Sequence, residues 1–175
     1  VADTFKAGIV ASIGYKWVSE GVEDNDDVRH DTQSTTGINW NEAEAAWVAK
    51  SVVLADAASV IYDLTNLTRT IFGSPLVVTM IDIRAIMIKN ETVGEGTLLV
   101  GDAGANEWDA MFANDGESIK VEPSSPFLIG NLLDGWDVTA TSKNLKLTAS
   151  GGETTFSIAI IGATSAGASG SGSGA

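Results

Sequence analysis

The chain has no cysteine, and that absence removes two ways of holding a fold together, a disulfide framework and a thiolate-bound metal. Its 175 residues include only three prolines and a single histidine, His30. A hydrolytic triad would have to be built around that one imidazole. His30 lies between Arg29 and Asp31 in a polar stretch, and no GxSxG elbow occurs to supply a nucleophile, so it reads as an exposed side chain with no chemical task. Positive charge is also scarce: ten Lys and Arg stand against 23 Asp and Glu, a net charge of −13. A protein that grips nucleic acid needs a basic footprint to displace counterions, so direct nucleic-acid binding is not expected. Asp82 and Arg84 interrupt the longest apolar run, which leaves nothing near the roughly 18 residues of a membrane-spanning helix. The opening VADTFKAGIVASIGYKW lacks the basic-then-apolar layout of a secretory signal, and no membrane partner is expected.

What the chain does have is a succession of short apolar runs rich in β-branched residues and separated by turn residues. This is the pattern of an all-β, antiparallel two-sheet sandwich, jelly-roll-like, with about eight to ten strands and little helix. Strands are expected near residues 6–18, 45–54, 58–64, 76–90 and 97–101, then around Ile119 and Val121, and again in FLIGNLL after the two prolines of EPSSP. Trp136, Val138 and Ala140 alternate with polar residues, as do Leu145 and Leu147, then Phe156, Ile158 and Ile160; three consecutive strands in a meander are expected there. Helix signals are confined to NWNEAEAAWVAK at 39–50, ambiguous because a β-branched run follows, and to one helical turn at 66–73 closed by Gly73.

The organisation follows from composition. Residues 1–19 read as an N-terminal strand or arm, 20–40 as an acidic exposed loop, 41–164 as the β domain and 165–175 as a flexible Gly/Ser tail. Within the loop, Glu23, Asp24, Asp26 and Asp27 are the candidate calcium ligands, but an EF-hand's turn glycine and bidentate twelfth-position Glu are missing, and the cluster reads as a solvated charged loop; no metal or cofactor is expected. GEGTLLVG and GDAGAN lack the spacing and the Lys of phosphate loops and read as turns. Trp40 and Trp108 are the candidates for stacking on a sugar, although tryptophans in such folds more often fill the core. A hydrolase acting through two carboxylates rests on the abundance of acids alone.

The sharpest anomaly is IDIRAIMIKN. Strict alternation puts Ile81, Ile83, Ala85 and Met87 on one face and Asp82, Arg84, Ile86 and Ile88 on the other, so the second face is half apolar. An outward-facing Ile86 and Ile88 would need a cover, either the chain's own AGIVASIG segment at 7–14 or another copy. This points to a homo-oligomer, with a trimer favoured, whose contacts include Ile86, Ile88, Ile9, Val10 and Ile13.

From about residue 44 onward, the segments YDLTNLTRTIFGSPLVVTMIDIRAIMIKNET, EPSSPFLIG and GWDVTATSKNLKLTASGGETTFSIAIIGATS resemble a group of small structural proteins of tailed bacteriophages with a β-sandwich fold. The resembling features are a "DL…LT…FG" lead before an apolar strand ending in "IkN", and a terminal "W-x-V-T…L.L…G…T..I.IIG" pattern. The resemblance implies a noncatalytic virion protein, capsid-associated, decoration or tail-associated, with other virion proteins as partners. It carries no catalytic residue. The alternative expectation is a carbohydrate- or receptor-binding module of a phage tail or cell-surface protein.

Overall fold

The computed structural model describes residues 11–13, 32–34, 45–71, 74–131 and 134–164. The chain divides into two compact units, Lys6–Trp40 and a larger one made of Val1–Phe5 with Asn41–Ala175. In the smaller unit, β1 (Ala11–Ile13) pairs with β2 (Thr32–Ser34), Ala11 opposite Ser34 and Ile13 opposite Thr32. Residues 32–34 therefore form a strand within what reads from sequence as continuous loop.

The larger unit bears out the all-β expectation: its described residues contain no helix, and all pairings between its strands are antiparallel. In chain order the strands are β3 (Ala45–Leu54), β4 (Ser59–Asp63), β5 (Leu67–Ile71), β6 (Ser74–Val78), β7 (Asp82–Asn90), β8 (Thr97–Gly101), β9 (Ser118–Val121), β10 (Pro126–Gly130), β11 (Trp136–Asp137), β12 (Asn144–Ser150) and β13 (Thr154–Ala163). A five-stranded sheet runs β10-β7-β13-β3, with β11 also on β7; a four-stranded sheet runs β4-β12-β8-β9; β5 and β6 form a separate hairpin.

The ambiguity at residues 39–50 resolves in favour of the strand expected near 45–54: β3 begins at Ala45, because Val48 and Val52 gain more from a half-buried pleated surface than the alanines gain from a helix. One local reading is corrected. The expected helical turn at 66–73 is instead β5, whose Leu67 is buried while Thr68 is exposed. The expected meander is also absent. β12 pairs with β4 and β8, whereas β13 pairs with β7 and β3, so the turn at residues 150–154 carries the chain from one sheet to the other. Alternation identifies the apolar faces of β12 and β13 correctly, but that pattern is the same whether two strands hydrogen-bond or only share a core.

That core is one cluster drawn from both large sheets. Leu145, Leu147 and Ala149 of β12 and Leu98 and Val100 of β8 join Phe156, Ile158 and Ile160 of β13 and Ile83, Ile86 and Ile88 of β7. Each such aliphatic or aromatic side chain contributes about 1.5–3 kcal/mol by leaving water. Buried polar groups join strands. Asn90, fully buried at the end of β7, donates through Nδ2 to Gly96 O just before β8 (3.0 Å) and to Val121 O at the end of β9 (3.1 Å), while its Oδ1 accepts from Thr92 N (3.1 Å). The Asn90 amide is thereby committed to the protein interior, so the glycosylation sequon Asn90-Glu91-Thr92 has no room for a glycan in the folded chain.

Two β-bulges shape the five-stranded sheet. Ile161 of β13 faces Ala85 of β7, but the next residue, Gly162, faces Ile83, so Arg84 is an extra residue in β7. Its side chain is mostly buried, with Nε and Nη2 donating to the two Asp82 carboxylate oxygens at 3.2 and 3.1 Å; Asp82 Oδ1 also accepts from Ala163 N. In β3 a second bulge lies between Ala49 and Val52, with Ser51 in the left-handed region at φ 49°. Glu91 holds it from above, accepting from Ser51 Oγ (3.3 Å) and from Ser157 Oγ (2.8 Å) of β13.

At the end of β4, burial opposes ionisation of Asp63. The Lys143 ammonium at 2.7 Å and the Thr65 hydroxyl and amide outweigh it and hold the carboxyl below its ordinary value. A carboxylate lowered in the folded state adds stability above the unfolded value, about 3.9, and loses it as pH falls through the folded value. Because the pair is partly exposed, the contribution is at most about 1 kcal/mol. Urea unfolding followed from neutral pH down to acid should show a smaller loss for Asp63→Asn than for the native chain, by that amount.

Candidate functional site

The bulge at Arg84 decides which face of β7 meets water. Beyond it the alternation changes phase, so Ile83, Ile86 and Ile88 enter the core together while Met87 and Lys89 are exposed on the other face. The cover that Ile86 and Ile88 require is thus the protein's own core, and neither is available as a subunit contact. Their assignment to an oligomer interface is corrected on that ground: strict alternation does not survive an inserted residue.

The face that remains outward can be followed by register across four strands. Leu128 of β10 lies opposite Met87 of β7, Met87 opposite Ala159 of β13, and Ala159 opposite Val48 of β3. Leu128 is 38% and Met87 46% exposed, and Ala159 and Val48 are half-buried. The neighbouring row, Gly130, Ala85, Ile161 and Ala46, is also uncharged, although Ala85 within it is buried. Toward the opposite end of β7 the surface becomes polar at Lys89, Ser157 and Glu91.

The four-stranded sheet behaves differently. Its outward row runs Ser59, Thr148, Leu99, Lys120, with Ser59 and Thr148 hydroxyls hydrogen-bonded at 2.8 Å. Lys146 on the same strand as Thr148 reaches Asp102 O at 2.8 Å, and Lys120 pairs with Glu122. Apart from Ile61, half exposed opposite Lys146, this is the wet outer face expected of an antiparallel sheet. The five-stranded sheet departs from that expectation.

The other sequence-derived candidates fall as follows. Trp108 is fully buried, its ring edge-on to Trp136 with centroids 6.1 Å apart and its Nε1 donating to Asp137 O at 3.0 Å, so it cannot stack on a ligand. Trp47 is likewise buried and donates to Thr68 O at 2.9 Å. Ile13 is placed by its backbone in β1, opposite Thr32. Ile9, Val10, Glu23, Asp24, Asp26, Asp27, His30 and Trp40 lie outside the described residues. Among the described residues, no three carboxylate or imidazole groups converge as a metal site, and no helix is long and apolar enough to cross a membrane.

Sequence reasoning missed Met87 as a surface residue. A signal was available in the spacing of the fully buried isoleucines, three between Ile83 and Ile86 and two between Ile86 and Ile88. A change from odd to even spacing within one strand is what a bulge produces. No protein-family model, curated protein or solved structure matches the chain.

Proposed function

We propose that this chain is a noncatalytic structural protein that assembles with copies of itself through the outer face of the five-stranded sheet, in a particle of the tailed-bacteriophage kind. On this reading the larger unit is a two-sheet, jelly-roll-like sandwich, and its place is capsid-associated, decoration or tail-associated. Resemblance of the segments after residue 44 supports the phage setting. One observation carries the self-assembly: the row Leu128, Met87, Ala159, Val48 crosses a whole sheet without a charge, while the other large sheet sets its exposed Ile61 and half-buried Leu99 among lysines and hydroxyls.

The occupant of that face is a second copy of the chain. Two molecules of net charge −13 repel wherever their acidic surfaces meet. An uncharged row lets like copies approach with least repulsion, and burying Met87 and Leu128 against their counterparts supplies an apolar contact. Sedimentation velocity at micromolar concentration tests this: the native chain should run as a multimer, with Met87→Asp weakening association by at least about a hundredfold, since a carboxylate buried without a partner costs several kcal/mol. Met87 is half exposed, so the variant should melt at the native temperature. A native chain that sediments as a single copy would remove the proposal.

A further inference from the structure

The loop from Asp102 to Glu117, between β8 and β9, contains an arrangement that the assembly reading does not use. Trp108 anchors it in the core, and its rim carries Glu107, Asp109, Asp115 and Glu117. Gly116 is in the left-handed region at φ 74°, with open space where a Cβ would stand, and its N–H donates to Glu107 Oε2 at 3.3 Å. The other Glu107 oxygen, Oε1, is shut off from solvent and accepts no hydrogen bond, so the Gly116 N–H bonds to the one oxygen of that carboxylate that is engaged. Beside it, contact with the Asp109 carboxylate and the Asp109 charge, with a smaller push from Glu107, raise the Asp115 carboxyl from its ordinary value.

We propose that Asp115–Gly116 is a self-modifying peptide link, at which Gly116 N attacks Asp115 Cγ with Glu107 as the base. The N–Cγ bond forms and the Cγ–OH bond breaks. The amide proton, received by Glu107, leaves with the hydroxyl as water, and a five-membered succinimide remains. Water then opens the ring. Attack on the Asp115 main-chain carbonyl restores the original mass but routes the backbone through Cβ and Cγ, giving an isoaspartyl link with one extra atom in the chain. No oxidant or co-reactant is required. Each part answers a chemical need: a carboxylic acid loses water more readily than a carboxylate loses oxide, a nearby base makes the amide nitrogen nucleophilic, and glycine leaves the approach open.

The molecule contains its own control. Asp134–Gly135 is the same dipeptide, and Gly135 has the same φ of 74°, but its N–H donates to the Asn131 carbonyl, which is no base. The site of a Cβ on Gly135 is filled, with Arg84 Nε 2.9 Å away. After incubation of the folded full-length chain at neutral pH, peptide mapping with isoaspartyl-methyltransferase labelling should find isoaspartate at 115 in about a hundredfold excess over 134, the low end of what a positioned base supplies. A species lighter by one water should precede it. Deamidation of the adjacent Asn114 changes the mass and is thereby told apart.

Glu107→Gln keeps the size of the side chain and removes the base, so its rate at 115 should fall toward that at 134. In denaturant the two sites should converge. Equal rates at 115 and 134 in the folded chain, or a folded Glu107→Gln variant that modifies at the native rate, would overturn the proposal.

Discussion

Gly162→Ala should destabilise the larger unit by about 3 kcal/mol or more, the upper end of what overpacking costs. A Cβ built on Gly162 falls 2.1 Å from Asp82 O, 3.1 Å from Asp82 C and 3.2 Å from Met80 Sδ. The nearest of these atoms are backbone, at the bulge where β13 passes Ile83, so no rotamer change relieves the clash. The strands must part, and with them the contact between the Asp82 carboxylate and Ala163 N. Urea unfolding provides the comparison, with Gly104→Ala as reference. Gly104 has open space around it but a φ of 77°, so alanine there should cost only about 1 kcal/mol of backbone strain. Equal midpoints for the two variants would show that the close approach at Gly162 has no energetic weight.

Asn90→Asp is expected to cost about 3 kcal/mol or more at neutral pH, because the substitution turns a satisfied buried amide into a charge facing two carbonyl oxygens. Nδ2 is the donor to both Gly96 O and Val121 O, and a carboxylate has no hydrogen to offer either. Protonation restores one donor, so the introduced group has a folded-state pKa raised above the unfolded value of about 3.9. Its stability is therefore fully present below that unfolded value and is lost as pH rises through the folded one. The gap between variant and native chain should narrow on acidification. A gap independent of pH, or a variant as stable as the native chain at pH 7, would show that the Asn90 amide does not join β7 to the β8–β9 pair.

The sequence is most legible where a strand buries a single face without interruption. Leu145 and Leu147 in β12, and Phe156, Ile158 and Ile160 in β13, alternate in sequence as they do in burial. What alternation leaves open is partnership. Because β12 and β13 have one apolar face each, adjacent pairing and membership of two sheets look the same along the chain. It also gives no view of phase changes: strict alternation places Met87 beside Ile83 and Ala85, and only the insertion at Arg84 sends it outward. The exposed row was less accessible still. Leu128, Met87, Ala159 and Val48 belong to four strands spread from β3 to β13, and only the register of three strand pairs brings them into line. The Glu107 and Gly116 contact depends on the path of an irregular loop, for which neither periodicity nor spacing offers a template.

The strand order has a kinetic consequence. β3 has β13 as its partner and β4 has β12, so two of the earliest strands of the larger unit must wait, through synthesis of about ninety residues, for the segments that complete them. During that interval the β7–β10 and β8–β9 pairs can form, but β3 and β4 keep open edges that invite pairing with other nascent chains. Arrival of residues 144–163 pairs both strands almost at once, leaving each with a single outer edge. Before that arrival both edges of each are open, so mispairing is a greater hazard for the ribosome-bound chain than for the finished one.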